Sequence, residues 1–118
     1  MAWNPHEAGQ LLSGADDGLI CLWDIREAGL EAQAKVQRRA HESVVEDVAW
    51  HQHNPNLFGS VGDDAHVMLW DPRKDAAMHT ITNAHEEDIN SIAFNPFSEY
   101  LFATGSSDNT VALWDLRK

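Results

Sequence analysis

Three times in this chain a small polar residue, a turn carboxylate and an apolar run lead into a Trp-Asp pair. The stretches are "SGADDGLICLWD" at 13–24, "SVGDDAHVMLWD" at 60–71 and "TGSSDNTVALWD" at 104–115. The carboxylate always stands six residues before the Trp. Trp23, Trp70 and Trp114 are spaced by 47 and 44, and Trp3, Trp50 and Phe94 repeat both intervals. His41 and His85 each follow an Ala and each precede the next repeat Asp by 23 residues. The unequal intervals trace to three extra residues around "REAGLEAQAK", because Trp23 to His41 is 18 residues and Trp70 to His85 is 15. Self-similarity at a fixed period means that one supersecondary unit has been copied.

Within each unit the apolar pattern is that of short strands. "VVEDVAWH" and "INSIAFNP" alternate or nearly so, while "LFGSVG", "HVMLWD", "LFATGS" and "TVALWD" are rich in β-branched and aromatic residues. Asn-Pro at 4–5, 54–55 and 95–96 separates the first strand from the second, and "DDG", "DDA" and "SDN" turn the second into the third. A fourth strand is expected at "AKVQRR" and at "MHTIT", the former after a long loop through "EAGLEAQ". The expected class is all-β, with about three four-stranded antiparallel units.

Composition narrows the functional classes. The 118 residues suit a small globular domain, and no apolar run reaches the roughly 20 residues of a membrane span. The lone Cys21 cannot form an internal disulfide, which suits a reducing compartment. A net charge of −11, from 19 acidic and 8 basic side chains, repels phosphate backbones and attracts cationic partners. Direct nucleic-acid binding is therefore not expected, nor is a membrane role.

Four antiparallel strands per repeat of 40–45 residues, closing on Trp-Asp, are the mark of a WD40 β-propeller blade. The blades are expected at residues 1–39, 40–83 and 84–118, the first incomplete at its start and the last without an outer fourth strand. "VVEDVAWH", "LFGSVGDD", "FNPFSEYLFATGSSDNTVALWDLR" and "LLSGADDGLICLWDI" closely resemble the WD40-repeat histone-binding proteins, the retinoblastoma-binding and chromatin-assembly-factor small-subunit type. The match is to three consecutive central blades of a seven-bladed ring.

The resemblance implies a hydrogen-bond chain that runs from a turn Asp through a loop His and a hydroxyl to the Trp. It falls on His41, Ser60, Asp64 and Trp70 in the second unit and on His85, Thr104, Asp108 and Trp114 in the third. In the first unit it falls on Ser13, Asp17 and Trp23. The physical ground is that buried polar groups need partners. A Ser-His-Asp catalytic triad uses the same residue types, but this set recurs in each repeat and ends on an indole, and no "GxSxG" elbow is present. No enzymatic activity, cofactor or metal is expected. "HQH" at 51–53 has no further ligand at metal-site spacing.

The resemblance also implies an acidic mouth that holds extended basic peptides such as the histone H3 amino terminus. Its positions here are Glu46, Asp63, Asn90, Asp88 and Asp16, with Ser107 in the corresponding place of the third unit. Carboxylates facing a channel accept Lys or Arg through charge-assisted hydrogen bonds. The plain alternative for each is a solvated turn carboxylate. Chromatin-complex subunits are the further expected partners, and the nucleus the expected location. Histone H4 binding is not implied, because the amino-terminal helix that serves it in that family has no counterpart in these residues. Met68 and Leu69 are expected to pack between blades, and Arg26, Arg73 and Arg117 to pair with acidic neighbours. A propeller closes with four to eight blades. The expectation is therefore a piece of a longer protein, a truncated product, or copies that assemble. A structural repeat module that self-assembles or binds other proteins, without recognising histones, is the rival reading.

Overall fold

The computed structural model describes residues 1–7, 9–24, 34–74 and 76–117. The long loop expected before "AKVQRR" and the pairing of Arg26 lie outside these residues. Eleven strands are seen among the described residues. In chain order they are β1 (Ala2–Trp3), β2 (Gln10–Gly14), β3 (Leu19–Asp24) and β4 (Ala34–Arg39). These are followed by β5 (Val45–Trp50), β6 (Phe58–Gly62), β7 (Val67–Trp70) and β8 (His79–Ile81). The last three are β9 (Ile89–Phe94), β10 (Leu101–Ser106) and β11 (Val111–Asp115). They form three antiparallel sheets with the orders β1-β2-β3-β4, β5-β6-β7-β8 and β9-β10-β11. The all-β blade reading is borne out.

Two apolar joints hold the sheets face to face. Leu12, Ile20 and Leu22 of the first sheet pack with Val48, Trp50 and Trp70 of the second. Val61, Val67 and Leu69 of the second pack with Ile89, Ile92 and Phe94 of the third. Burial of each large side chain is worth about 1.5–3 kcal/mol, so these joints are the main source of cohesion. Phe58 stacks on Trp70 at 6.3 Å and Phe102 on Trp114 at 6.2 Å, the same contact one repeat apart. Leu69 is buried at the second joint and Met68 half-buried at the first.

Polar groups reinforce the second joint. Asp47 on β5 accepts the Ile92 amide of β9 at 3.0 Å, linking neighbouring innermost strands across the joint. At the far end of β5 and β9, His51 is buried, and its Nε2 donates to the Glu99 carbonyl at 2.7 Å. Its Nδ1 accepts the amides of His53 and Asn54 at 3.0 and 2.9 Å, so both ring nitrogens are engaged. Asn4 and Asn95, at the corresponding repeat positions, accept the amides two and three residues on in the same way.

Two of the innermost strands open with a β-bulge. Val45 pairs with Gly62 and Asp47 with Val61, leaving Glu46 as the extra residue of β5. Ile89 pairs with Ser106 and Ser91 with Gly105, leaving Asn90 as the extra residue of β9. A bulge bends the strand and re-aims the side chain it carries.

Candidate functional site

The turn carboxylates lie at the strand ends where the bulges occur. In the second sheet Asp64 sits between β6 and β7, and His41 reaches it from the segment after β4. His41 Nδ1 lies 2.9 Å from both Asp64 oxygens. An ionised carboxylate has no proton to give, so Nδ1 donates and Nε2 is left to accept the Ser60 hydroxyl at 2.8 Å. Ser60 Oγ in turn accepts the Trp70 indole N–H at 3.0 Å. Asp64 also accepts the amides of Glu42 and His66, which ties the incoming segment and the turn to one side chain.

The third sheet has the same chain. His85 Nδ1 meets Asp108 at 3.1 Å, His85 Nε2 meets Thr104 Oγ1 at 2.8 Å, and Trp114 Nε1 donates to Thr104 Oγ1 at 2.9 Å. Asp108 has one partner more, because the Thr110 hydroxyl donates to it. In the first sheet the Trp23 indole donates to Ser13 Oγ at 2.9 Å, and Asp17 accepts the Leu19 amide at 3.1 Å. Each of these hydroxyls accepts an indole N–H. Arg73 and Arg117 close back on Asp71 and Asp115, the Asp of their own Trp-Asp pairs, through two guanidinium nitrogens each.

The remaining carboxylates gather beside these chains. Glu46 is exposed on its bulge, and its carboxyl is raised above the ordinary value. A hydrogen bond to Asp63 is the largest cause, followed by burial and the negative charges of Asp63, Asp88 and Asp16. Four of the five residues implied by the resemblance therefore share one electrostatic field. The fifth, Asn90, donates from Nδ2 to Ser107 Oγ at 3.1 Å. Glu46 with Asp63 and Asn90 with Ser107 are the same positional pair one repeat apart, charged in the second unit and neutral in the third. Asp63 Oδ1 is buried and accepts no hydrogen bond among the described residues.

A cleft of about 340 Å³ lies at the opposite end of the strands, lined by His53, Glu99, Tyr100 and Arg117. Arg117 stacks over the Tyr100 ring there at 4.6 Å. It holds both signs of charge, unlike the carboxylate cluster.

Acid should weaken the fold from a definable point. Burial alone would raise the Asp64 carboxyl, but hydrogen bonds from His41 and from the His66 and Glu42 amides outweigh it and hold it below the ordinary value. The Arg73 guanidinium holds Asp71 at about 2. The Thr110 hydroxyl is the largest cause keeping Asp108 far below the usual range. A carboxyl depressed in the folded state contributes stability above its unfolded value and loses it as pH falls through its folded value. Urea midpoints are expected to drop steeply below about pH 4, and Asp71→Asn to make that drop shallower. Glu46 has the opposite sign. The fold keeps its proton longer, so stability declines as pH rises through the folded value, and Glu46→Gln should remove that decline. A midpoint independent of pH between about 2 and 4 would contradict the assignment.

A family model described as the EIPR1 beta-propeller matches residues 1–114. The WD-40 repeat-containing protein MSI3 of Arabidopsis thaliana is 46% identical over 83 residues, which cover 69% of this chain and 20% of that protein. Among solved structures, a chain of the Crystal Structure of Mitotic Checkpoint Complex matches at a TM-score of 0.83 and 27% identity. That match covers 99% of this chain and 35% of the other. The chain thus spans a fifth of the MSI3 length and about a third of the checkpoint-complex chain. Repeat, fold and sequence agree: this chain belongs to the WD40-repeat β-propeller family, the family of the EIPR1 β-propeller.

Proposed function

We propose that these WD blades serve a non-enzymatic scaffold that binds extended basic peptides of the histone H3 type at the mouth formed by Glu46, Asp63, Asp88, Asp16 and Asn90. Residues 1–39, 40–83 and 84–118 act as its three blade units. Partners on this reading are histone tails and subunits of chromatin assembly or modifying complexes, and the place of action is the nucleus. The observation that carries it is the buried Asp63 Oδ1, which accepts no hydrogen bond among the described residues and belongs to the group of carboxylates whose charges raise the Glu46 carboxyl. Carboxylates held this close repel one another, and a Lys or Arg inserted among them relieves that repulsion. The bulges support the same reading, since they turn Glu46 and Asn90 out of the strand pairing. Asn90 adds a polar group that can read peptide backbone without adding charge.

Calorimetry of the 118-residue chain with a short H3-like peptide tests this. Binding is expected to weaken with salt. The double variant Glu46→Lys, Asp63→Lys is expected to lower affinity by more than about tenfold, near 1.4 kcal/mol, and to flatten the salt dependence. Equal affinity of the parent and the double variant would remove the site.

A further inference from the structure

The innermost strands β5 and β9 stand at the edges of their sheets, so every second amide along them points away from its own sheet. The His51 amide donates to the Leu57 carbonyl at 2.9 Å and the Asn95 amide to the Leu101 carbonyl at 3.0 Å. Amides alternate in direction along an antiparallel strand, so those of Val48 and Ile92 face away from β6 and β10. Both residues are buried, and a buried amide needs a partner. Asp47 serves both amides at once. Its Oδ1 accepts the Val48 amide at 2.9 Å and its Oδ2 the Ile92 amide at 3.0 Å.

This clamp lies between the two bulges. Asp47 directly follows Glu46, and Ile92 stands two residues after Asn90. Each bulge residue is in turn held beside its own turn residue. The Asp63 amide donates to the Val44 carbonyl and the Ser107 amide to the Asp88 carbonyl, both at 3.0 Å. The acidic pair Glu46 and Asp63 therefore belongs to the second sheet, the neutral pair Asn90 and Ser107 to the third, and Asp47 ties one to the other. One repeat on, the corresponding residue is Ser91, so this carboxylate is not part of the repeated pattern.

We infer that Asp47 is a positioning residue of the proposed mouth, fixing the acidic pair and the neutral pair at the separation at which one extended peptide meets both. A Lys or Arg of that peptide sits at Glu46 and Asp63, and the backbone beside it at Asn90 and Ser107. Asp47 acts through the two bulges, its own oxygens being engaged by amides. Two sheets free to shift would have to be ordered when the peptide binds, and affinity would fall. The inference rests on the peptide reading given above.

Calorimetry of the full chain with the short H3-like peptide, beside amide spectra of the free chain, tests this. Asp47→Glu keeps the charge but carries the oxygens one methylene out of place. It is expected to weaken peptide binding by at least about fivefold with an unchanged salt dependence, because the charges that meet the cation remain. In the free chain it should shift the Glu46 and Asn90 amides and speed hydrogen exchange at the Ile92 amide. His51→Asn is the control, since Asn4 and Asn95 fill that place in the other units and cap the same turn. It removes the bond from His51 to the Glu99 carbonyl across the same joint, yet affinity is expected to stay within about twofold of the parent. Asp47→Glu binding like the parent overturns the inference, as does His51→Asn weakening the peptide equally. Unaltered exchange at Ile92 overturns it too. A parent that binds no peptide removes the proposed function and this role with it, whereas the other outcomes leave that function standing.

Discussion

Replacing His41 with alanine is expected to destabilise the fold by about 3–5 kcal/mol. The side chain is 0% exposed, so the substitution leaves a cavity and strips Asp64 and Ser60 of a shared partner. Trp70 would then donate to a hydroxyl that has lost its own acceptor. Domain stabilities run to about 5–15 kcal/mol in total, so this change alone removes a large share of the total. His85→Ala should cost less, because Asp108 keeps the Thr110 hydroxyl as a partner. Urea denaturation monitored by tryptophan fluorescence ranks the two. A loss below about 1 kcal/mol for His41→Ala, or a larger loss for His85→Ala, would contradict the role given to the chain.

The second large effect is expected at Gly18, and it has an opposite counterpart at Ala65. Gly18, Ala65 and Asn109 occupy the same turn position in the three units, with φ of 82°, 61° and 69°. The turn needs this left-handed residue so that its carbonyl can face the next segment. The Gly18 carbonyl accepts the amides of Ala40 and His41 at 2.9 and 3.2 Å, and the Ala65 carbonyl accepts the Ala84 amide at 3.0 Å. A Cβ at Gly18 would overlap the His41 carbonyl oxygen, and the left-handed conformation adds its own penalty. Gly18→Ala is therefore expected to cost about 3 kcal/mol, acting on the first joint through His41. At Ala65 the penalty is already present, so Ala65→Gly should stabilise by about 0.5–1 kcal/mol after the loss in unfolded-state entropy is counted. Thermal melts showing the same sign for both variants would refute the turn assignment.

The periodic features were legible in the sequence because they repeat in register. Strand order, the turn carboxylates and the indole partners follow from spacings of 47 and 44 once Trp-Asp is taken as the marker. Features that depend on pairing between strands were not legible. The bulges at Glu46 and Asn90 appear only when Val45 is seen opposite Gly62 and Ile89 opposite Ser106. "VVEDVAWH" alternates only nearly, and the adjacent polar residues Glu46 and Asp47 between Val45 and Val48 are its one faint mark of the bulge. Asp47 gave no signal either, because its bond to the Ile92 amide joins residues 45 apart on different sheets. His51 could have been found. It stands where the other units have Asn4 and Asn95, and a His at an Asn position that caps a turn has a second ring nitrogen to spend across the joint. The left-handed turn position was hidden by its changing identity, since Gly, Ala and Asn share a conformation there and no side-chain chemistry.

The same physics separates scaffold from site. His41, Ser60, Asp64 and Trp70 satisfy one another, so no member is free to engage a ligand. Glu46 instead lies in the negative field of Asp63, Asp88 and Asp16, which on the proposed function a cationic side chain would relieve. The most direct measurement is an amide chemical-shift titration of the chain with a short Lys- and Arg-containing H3-like peptide. A carboxylate mouth that holds cationic side chains predicts perturbations centred on Asp16, Glu46, Asp63, Asp88 and Asn90, fading as salt is added. Perturbations centred on His53, Glu99 and Tyr100 at the opposite strand ends, or none at all, would contradict it.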